Sequence, residues 1–418
     1  MTDFAGEAAR LDAADPLAKW RGHFLLDDAV AYLDGNSLGA LPRATPERIE
    51  TVVRREWGDG LIASWNPDGA GGADWITLPQ RVGAKIAPLI GAGPDEVIAA
   101  DSVSVNLFKL VSAALAHFRG DGHRRRKVVL SEPGNFPTDL YMVDGLEGQG
   151  LATRKLAPRE HLEAALDKDV ALLLLTHVHY KTGAMHDMLR LTRAAHEAGA
   201  LVLWDLSHSV GAVPVDLTAA QADFAVGCGY KYLNGGPGAP AFAYVAPRHH
   251  RALRQPLSGW MGHAQPFAFE DDYAPAPGVD RLLAGTPPVI QMSALEEGVD
   301  LIARIGMDAL VAKSRRMSEF TRRAVAELVP ELECISPADP KARGSQLSWR
   351  HEHAYELCQA LIERRVVGDF RAPDALRLGF APAYVRYADC WRAVSELRDI
   401  LDSGAWREER FAERAAVT

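Results

Sequence analysis

The chain has 418 residues, 48% hydrophobic and 24% charged, with a formal net charge of −9 and a sequence pI near 5.9. That profile is globular and long enough for two domains, and its acidity argues against nucleic acid or an anionic membrane as the main partner. No window approaches the roughly 18 consecutive apolar residues of a membrane span. The amino terminus lacks the basic-then-apolar plan of a signal peptide, and the widely spaced Cys228, Cys334, Cys358 and Cys390 form no C-x-x-C pair. Both features suit reduced thiols in the cytoplasm.

The hydrophobic pattern predicts a strand over Glu96–Asp101, a helix from about Val105 to Phe118 and a strand over Lys127–Ser131. A third strand, Asp169–Thr176, is apolar without a break, which suits burial on both faces. A helix follows, closed by Gly199 as C-cap, and then strands over Ala200–Leu206, Asp223–Cys228 and Ala239–Ala246. Strands alternating with helices imply a mainly parallel α/β sheet. Beyond Ile305, long helices over Met307–Leu328, around His353–Arg365 and over Ala388–Ser403 surround short strands, as in a smaller α+β domain. The expected division is an amino-terminal segment 1–65 against the small domain or a partner subunit, a large domain 66–300 and a small domain 301–418.

Ligands of open parallel sheets bind beyond the carboxyl ends of the strands, so the loops there carry the chemistry. Ser102-Val103-Ser104 opens a helix and offers hydroxyls and free N–H groups to a phosphate; taken alone, a cap role for Ser104 is the simpler reading. The next loop holds Phe136, either a packing residue or a platform for a flat ring. Thr176-His177-Val178-His179 has the H-x-H spacing of zinc ligands, but several strands precede it, whereas zinc hydrolases place it on their first barrel strand. Two histidines facing one polar crevice without metal is the preferred reading. Asp205 ends an apolar strand, where an acid is costly without a cationic partner; a helix-cap role is the alternative.

In "GCGYKYLNGG" (Gly227–Gly236) a lysine sits between two tyrosines before a glycine loop. The following G-x-G-x-x-A match opens a strand rather than a helix and is not a dinucleotide fingerprint. A phosphate seat, an aromatic platform, a buried acid and a confined lysine together suit pyridoxal phosphate. Its aldehyde takes a lysine as Schiff base and its pyridinium nitrogen takes an acid.

With those residues in place, the chain resembles the kynureninase family over nearly its whole length. The motifs are "YLDGNSLGALP", "SVNLFKL", "FPTD", "HYKTG", "WDLSHSVGAVPVDL", "GYKYLNGGPGAPAF", "GWMGH" and "LAGTPP". The resemblance implies a fold-type I, aspartate aminotransferase-like α/β architecture, with a mainly parallel large-domain sheet and a smaller α+β carboxy-terminal domain. It implies hydrolytic Cβ–Cγ cleavage of L-kynurenine to anthranilate and L-alanine in tryptophan degradation, with weaker action on 3-hydroxykynurenine. It also implies a cytoplasmic homodimer with shared active sites and no metal.

By that resemblance Lys231 is the Schiff-base lysine, Asp205 pairs with the pyridinium nitrogen and Phe136 stacks on the ring. Asp139 and His208 bracket the ring and its phenolic oxygen, while Val103, Ser104, Pro137, Thr138 and Thr176 match cofactor-contacting positions. Tyr230 binds the phosphate and shuttles a proton, joined by Trp260 and Thr286 of a neighbouring subunit. Arg377 grips the substrate carboxylate, and Asn36, Ser37, Trp65, Gly285 and Thr286 adjoin the substrate. Trp65 with Gly285-Thr286 resembles the kynurenine-preferring members; members preferring the hydroxylated substrate carry His and Ser-Asn. Ser104 departs from the Thr common in relatives but keeps the hydroxyl.

Three rivals stand beside this reading. Cysteine desulfurase and selenocysteine lyase share the fold but use a mobile cysteine and a His before the lysine, where this chain has Tyr230. A zinc hydrolase would use His177, His179 and Asp205. A non-catalytic binding protein would keep the fold without the cofactor.

Overall fold

The computed structural model describes residues 2–67, 72–119 and 126–414. Helix α1 (Phe4–Ala13) and the short strand β1 (Ala31–Tyr32) lead into α2 (Thr45–Thr51) and α3 (Leu78–Ile86). Then come β2 (Val97–Ala99), α4 (Val103–His117), β3 (Val128–Ser131), α5 (Pro137–Gly148), β4 (Thr153–Leu156), the single-turn α6 (Leu162–Ala165) and β5 (Val170–Thr176). Helix α7 (Met188–Glu197), β6 (Leu201–Asp205), β7 (Phe224–Cys228) and β8 (Ala241–Val245) complete the large sheet.

That sheet has the order β2-β8-β7-β6-β5-β3-β4. Every residue of β5, β6 after Leu201, β7 and β8 is buried, because helices cover both faces. Alternate side chains serve the two sides. Leu173, Leu175, Val202 and Trp204 join one core with Val82 of α3 and Leu191 of α7. Leu172, Leu174 and Leu203 join the other with Leu110 of α4 and Val143 of α5. This two-sided burial explains the unbroken apolar runs in the sequence.

Strand β8 is antiparallel to both its neighbours, β7 and β2, while the other ladders are parallel. The connection from β7 holds no helix, and a parallel return requires a crossover of a dozen or more residues, usually helical. The chain therefore turns back directly, and the turn carries Lys231.

Helix α8 (Val289–Ile305) leads to α9 (Met307–Leu328), β9 (Glu333–Cys334), β10 (Gln346–Arg350), α10 (Ala354–Glu363), β11 (Val366–Val367), β12 (Asp369–Arg371), β13 (Ala375–Gly379) and α11 (Tyr387–Ser403). Strands β12-β13-β10-β9 make a second, antiparallel sheet. The amino-terminal segment is tied to this unit. Phe4 packs edge-on against Phe320 and stacks on Trp391, the Asp12 carboxylate accepts the Tyr387 and Ala388 N–H groups that open α11, and β1 pairs parallel with β11. Among the described residues no helix is long and apolar enough to cross a membrane.

Helix α4 begins two residues earlier than the pattern predicts. Its N-cap is Ser102, whose hydroxyl accepts the Val105 N–H at 3.3 Å, so Ser104 lies in the first turn and its hydroxyl is not the cap.

Candidate active site

The carboxyl ends of β5, β6 and β7 and the first turns of α4 and α5 surround a cavity of about 140 Å³. Its wall includes Val103, Ser104, Phe136, Thr138, Thr176, Asp205, His208, Tyr230 and Lys231. Residues 128 positions apart in sequence meet there because each follows a strand or opens a helix on the same sheet edge. Pro137 is the first residue of α5, where its missing N–H costs nothing. The Ser104 and Thr138 hydroxyls stand 3.4 Å apart, so two helix N-termini converge with their unpaired N–H groups, an arrangement suited to a phosphate.

Lys231 is 8% exposed, and its Nζ lies 2.9 Å from His208 Nε2. Gln346 fixes the histidine tautomer. Its Nε2 donates to the Tyr180 carbonyl at 2.8 Å, so its Oε1 faces His208 Nδ1 at 2.9 Å and accepts that N–H. The Nε2 lone pair is left for the lysine. Burial holds the Lys231 amine below the ordinary lysine range; Asp205 opposes that effect, and Arg377 and Arg371 reinforce it. Burial, with the charge of Lys231, also keeps His208 well below its usual value and so neutral.

Asp205 is 2% exposed; its Oδ1 accepts the Ser207 N–H at 2.7 Å, a local turn bond, and among the described residues no cation pairs with it directly. Burial raises its pKa. Asp139 sits behind Thr176, whose hydroxyl donates to its Oδ2 at 3.0 Å, while its buried Oδ1 has no described partner. Burial and the nearby Asp205 raise Asp139 well above the carboxylate range. Two buried acids without a cation are costly, and a cationic ring nitrogen in the cavity would relieve both. The Phe136 ring centroid is 5.7 Å from Lys231 Nζ, and Tyr180 braces that ring edge-on at 5.3 Å. Donors at one end, a ring wall, an unpaired acid and a confined amine fit pyridoxal phosphate.

Arg377, Asn36 and Ser37 form an adjoining cluster rather than the cavity wall. Arg377 is 1% exposed; its Nε donates to Asp369 Oδ1 at 2.7 Å and its Nη2 to Ser37 Oγ at 2.9 Å. Asn36, with its amide oriented to match, accepts from Arg377 Nε at 2.9 Å. Four expected substrate or cofactor positions are not brought to this cavity. Trp65 packs edge-on against Trp75 at 5.7 Å, Trp260 is 39% exposed, and Gly285 and Thr286 lie on the surface.

The two histidines of the H-x-H segment make separate hydrogen bonds, beside the same Arg159 and His186. His177 Nδ1 pairs with Ser209 Oγ at 2.9 Å, and burial pulls its pKa down to about 3. His179 Nε2 donates to the Gly134 carbonyl at 2.9 Å. Among the described residues no three His, Cys, Asp or Glu side chains gather as a metal ion requires.

Sequence reasoning missed Asp34, Tyr180, Gln346, Asp369 and Arg371. Gln346 lies 138 residues from His208 on β10 of the second sheet, and no local pattern marks it. Asp369 and Arg371 did leave a signal, since charged residues two apart share one face of a strand.

A family model for the kynureninase C-terminal domain matches residues 310–397. The chain is 51% identical over 417 residues to a kynureninase of Burkholderia mallei, covering 99% of both chains. It is 46% identical over 413 residues to a kynureninase of Pseudomonas fluorescens, covering 98% of both. The solved cysteine desulfurase of Thermococcus onnurineus superposes with a TM-score of 0.78 over 92% of this chain and 98% of its own, at 18% identity. That last likeness speaks to the fold alone.

Proposed function

The chain belongs to the kynureninase family, and we propose that it hydrolyses L-kynurenine to anthranilate and L-alanine at this cavity. It has the fold of the fold-type I pyridoxal-phosphate enzymes, and pyridoxal 5'-phosphate is its cofactor. The observation that carries the site assignment is the gathering of a buried Lys231 amine and two buried acids, Asp205 and Asp139, that make no ion pair among the described residues.

In this reading Lys231 would hold the cofactor's aldehyde carbon, Asp205 its ring nitrogen and Phe136 its ring face, while Ser104, Thr138 and Tyr230 would hold the phosphate. When bound, the cofactor acts as the electron sink that makes both the Cα–H and the Cβ–Cγ bonds of the substrate labile. The chain supplies the proton traffic. Lys231 would take the Cα proton of the substrate, and its desolvated setting keeps the amine neutral enough to do so. His208, neutral and turned by Gln346, accepts a hydrogen bond from Lys231 Nζ and fixes where that amine returns. Burial raises the Tyr230 phenol above its usual pKa, so it stays protonated and can donate as water adds to the γ-carbonyl. Arg377 is the expected anchor for the α-carboxylate.

The decisive measurement is anthranilate fluorescence on mixing the purified holoenzyme with L-kynurenine. Lys231→Ala should abolish release, and with it the visible absorption of lysine-bound cofactor; a fully active variant would refute the assignment. Sulfide release from cysteine, with no anthranilate, would favour the desulfurase reading instead.

A further inference from the structure

Arg377 has little left to offer a substrate. Its Nε–H goes to Asp369 Oδ1, its Nη2 to Asp369 Oδ2 and Ser37 Oγ, and its Nη1 to the Tyr180 carbonyl. With the Nε–H counted once, although Asn36 shares it, these contacts occupy four of its five N–H groups. A carboxylate gripped by two prongs needs two.

Six residues along the chain lies a second guanidinium. Strand β12 sets Asp369 and Arg371 on one face, and the β12–β13 register puts Arg377 directly opposite Asp369. Arg371 Nη2 reaches the same two oxygens as Arg377 Nη2, namely Asp369 Oδ2 and Ser37 Oγ, the latter at 3.0 Å. Two guanidinium groups therefore converge on one carboxylate, and the other acid beside them, Asp34, is pushed up to about 7 by burial and Asp369 and compensates the second cation only in part. Unlike Arg377, Arg371 keeps 34% of its side chain exposed, and its buried Nε has no described partner. Like that of Arg377, its charge acts on Lys231 and His208, and it acts on Tyr230 as well.

We propose that Arg371 completes the α-carboxylate subsite, taking one carboxylate oxygen while the remaining N–H of Arg377 takes the other. Asp369 and Ser37 hold the two guanidinium groups at a fixed spacing, so both prongs are in place before substrate arrives. The proposal rests on the reading above, in which the substrate is an α-amino acid.

The test compares wild-type holoenzyme with Arg371→Met and Arg371→Lys. It measures KM and kcat for L-kynurenine, and the inhibition constant of the decarboxylated substrate, which lacks the α-carboxylate. Arg371→Met should raise KM by about 10- to 100-fold while kcat stays within about threefold, and Arg371→Lys should restore part of the loss. Inhibition by the decarboxylated analogue should change by less than about twofold. If KM is unmoved in both variants, or if analogue and substrate weaken together, Arg371 is only a strut for Asp369 and the proposal fails. A wild-type enzyme that releases no anthranilate overturns the functional reading and takes this inference with it; an active wild type with unaltered variants overturns the inference alone.

Discussion

Asp34 shows how one residue records the electrostatic tension of the site. Burial and the neighbouring Asp369 push its carboxyl up to about 7, against the pull of Arg377, Ser37 and Arg371. In the unfolded chain the same group loses its proton near pH 4. Between those values the folded state holds a proton that the unfolded state has released. The stability linked to it is therefore present at low pH and lost as pH rises toward 7. Replacing Asp34 with Asn removes the ionisation. Urea melts should find Asp34→Asn more stable than wild type at pH 8, by on the order of 2 kcal/mol, with the difference vanishing below about pH 3.5. A variant less stable than wild type at pH 8 would show that the ionised carboxylate is held by the two arginines rather than strained beside Asp369.

At the scale of elements, the loop carrying Lys231 is shaped by what leans on it. Gly39 donates its N–H to the Tyr230 carbonyl at 2.8 Å, and a Cβ there would stand 2.2 Å from the Lys231 carbonyl oxygen and 2.5 Å from Asn234 Oδ1. From the other side, a Cβ on Gly298 of α8 would lie 2.0 Å from the Leu233 carbonyl. Both glycines exist for close approach. Gly39→Ala should cost about 1–3 kcal/mol as overpacking and weaken cofactor binding, because the lysine must shift. Gly145→Ala, in the exposed middle of α5 with nothing within 4 Å, should instead stabilise by about 0.5–1 kcal/mol. Thermal melts and cofactor titration of both variants check the contrast; equal cofactor affinity in Gly39→Ala and wild type would mean the loop yields without moving Lys231.

For the whole molecule, the surface is as telling as the core. Ile62, Leu61, Trp57, Phe267, Phe269 and Trp260 are exposed, more large apolar side chains than an isolated chain gains from leaving in water. A second copy of the chain is the expected cover, and in that arrangement Trp260 and Thr286 would reach the partner's phosphate seat. Light scattering should give the mass of two chains. Trp260→Ala should weaken cofactor binding about tenfold without lowering the melting point of the cofactor-free protein. A monomer with full activity would remove the shared-site model.

The sequence by itself marked six of the seven strands of the large sheet, all but the half-exposed edge strand β4, and the loops beyond their carboxyl ends. Strands buried on both faces must be apolar throughout, and the residues that interrupt such runs, Thr176, Asp205 and Lys231, announce themselves by their cost. It also determined the family, through the motifs around those residues, and the likeness to kynureninases bears that out. Tertiary structure alone decided the direction of β8, which depends on the absence of a helix in a loop. It decided the tautomer of His208, which depends on a glutamine from the second sheet, and the destinations of His177 and His179. It decided too that Arg377 is already occupied, since a strand register, and no local pattern, sets Asp369 opposite it. Local periodicity encodes burial and direction, but the partner of a buried charge is chosen by the packing of distant segments.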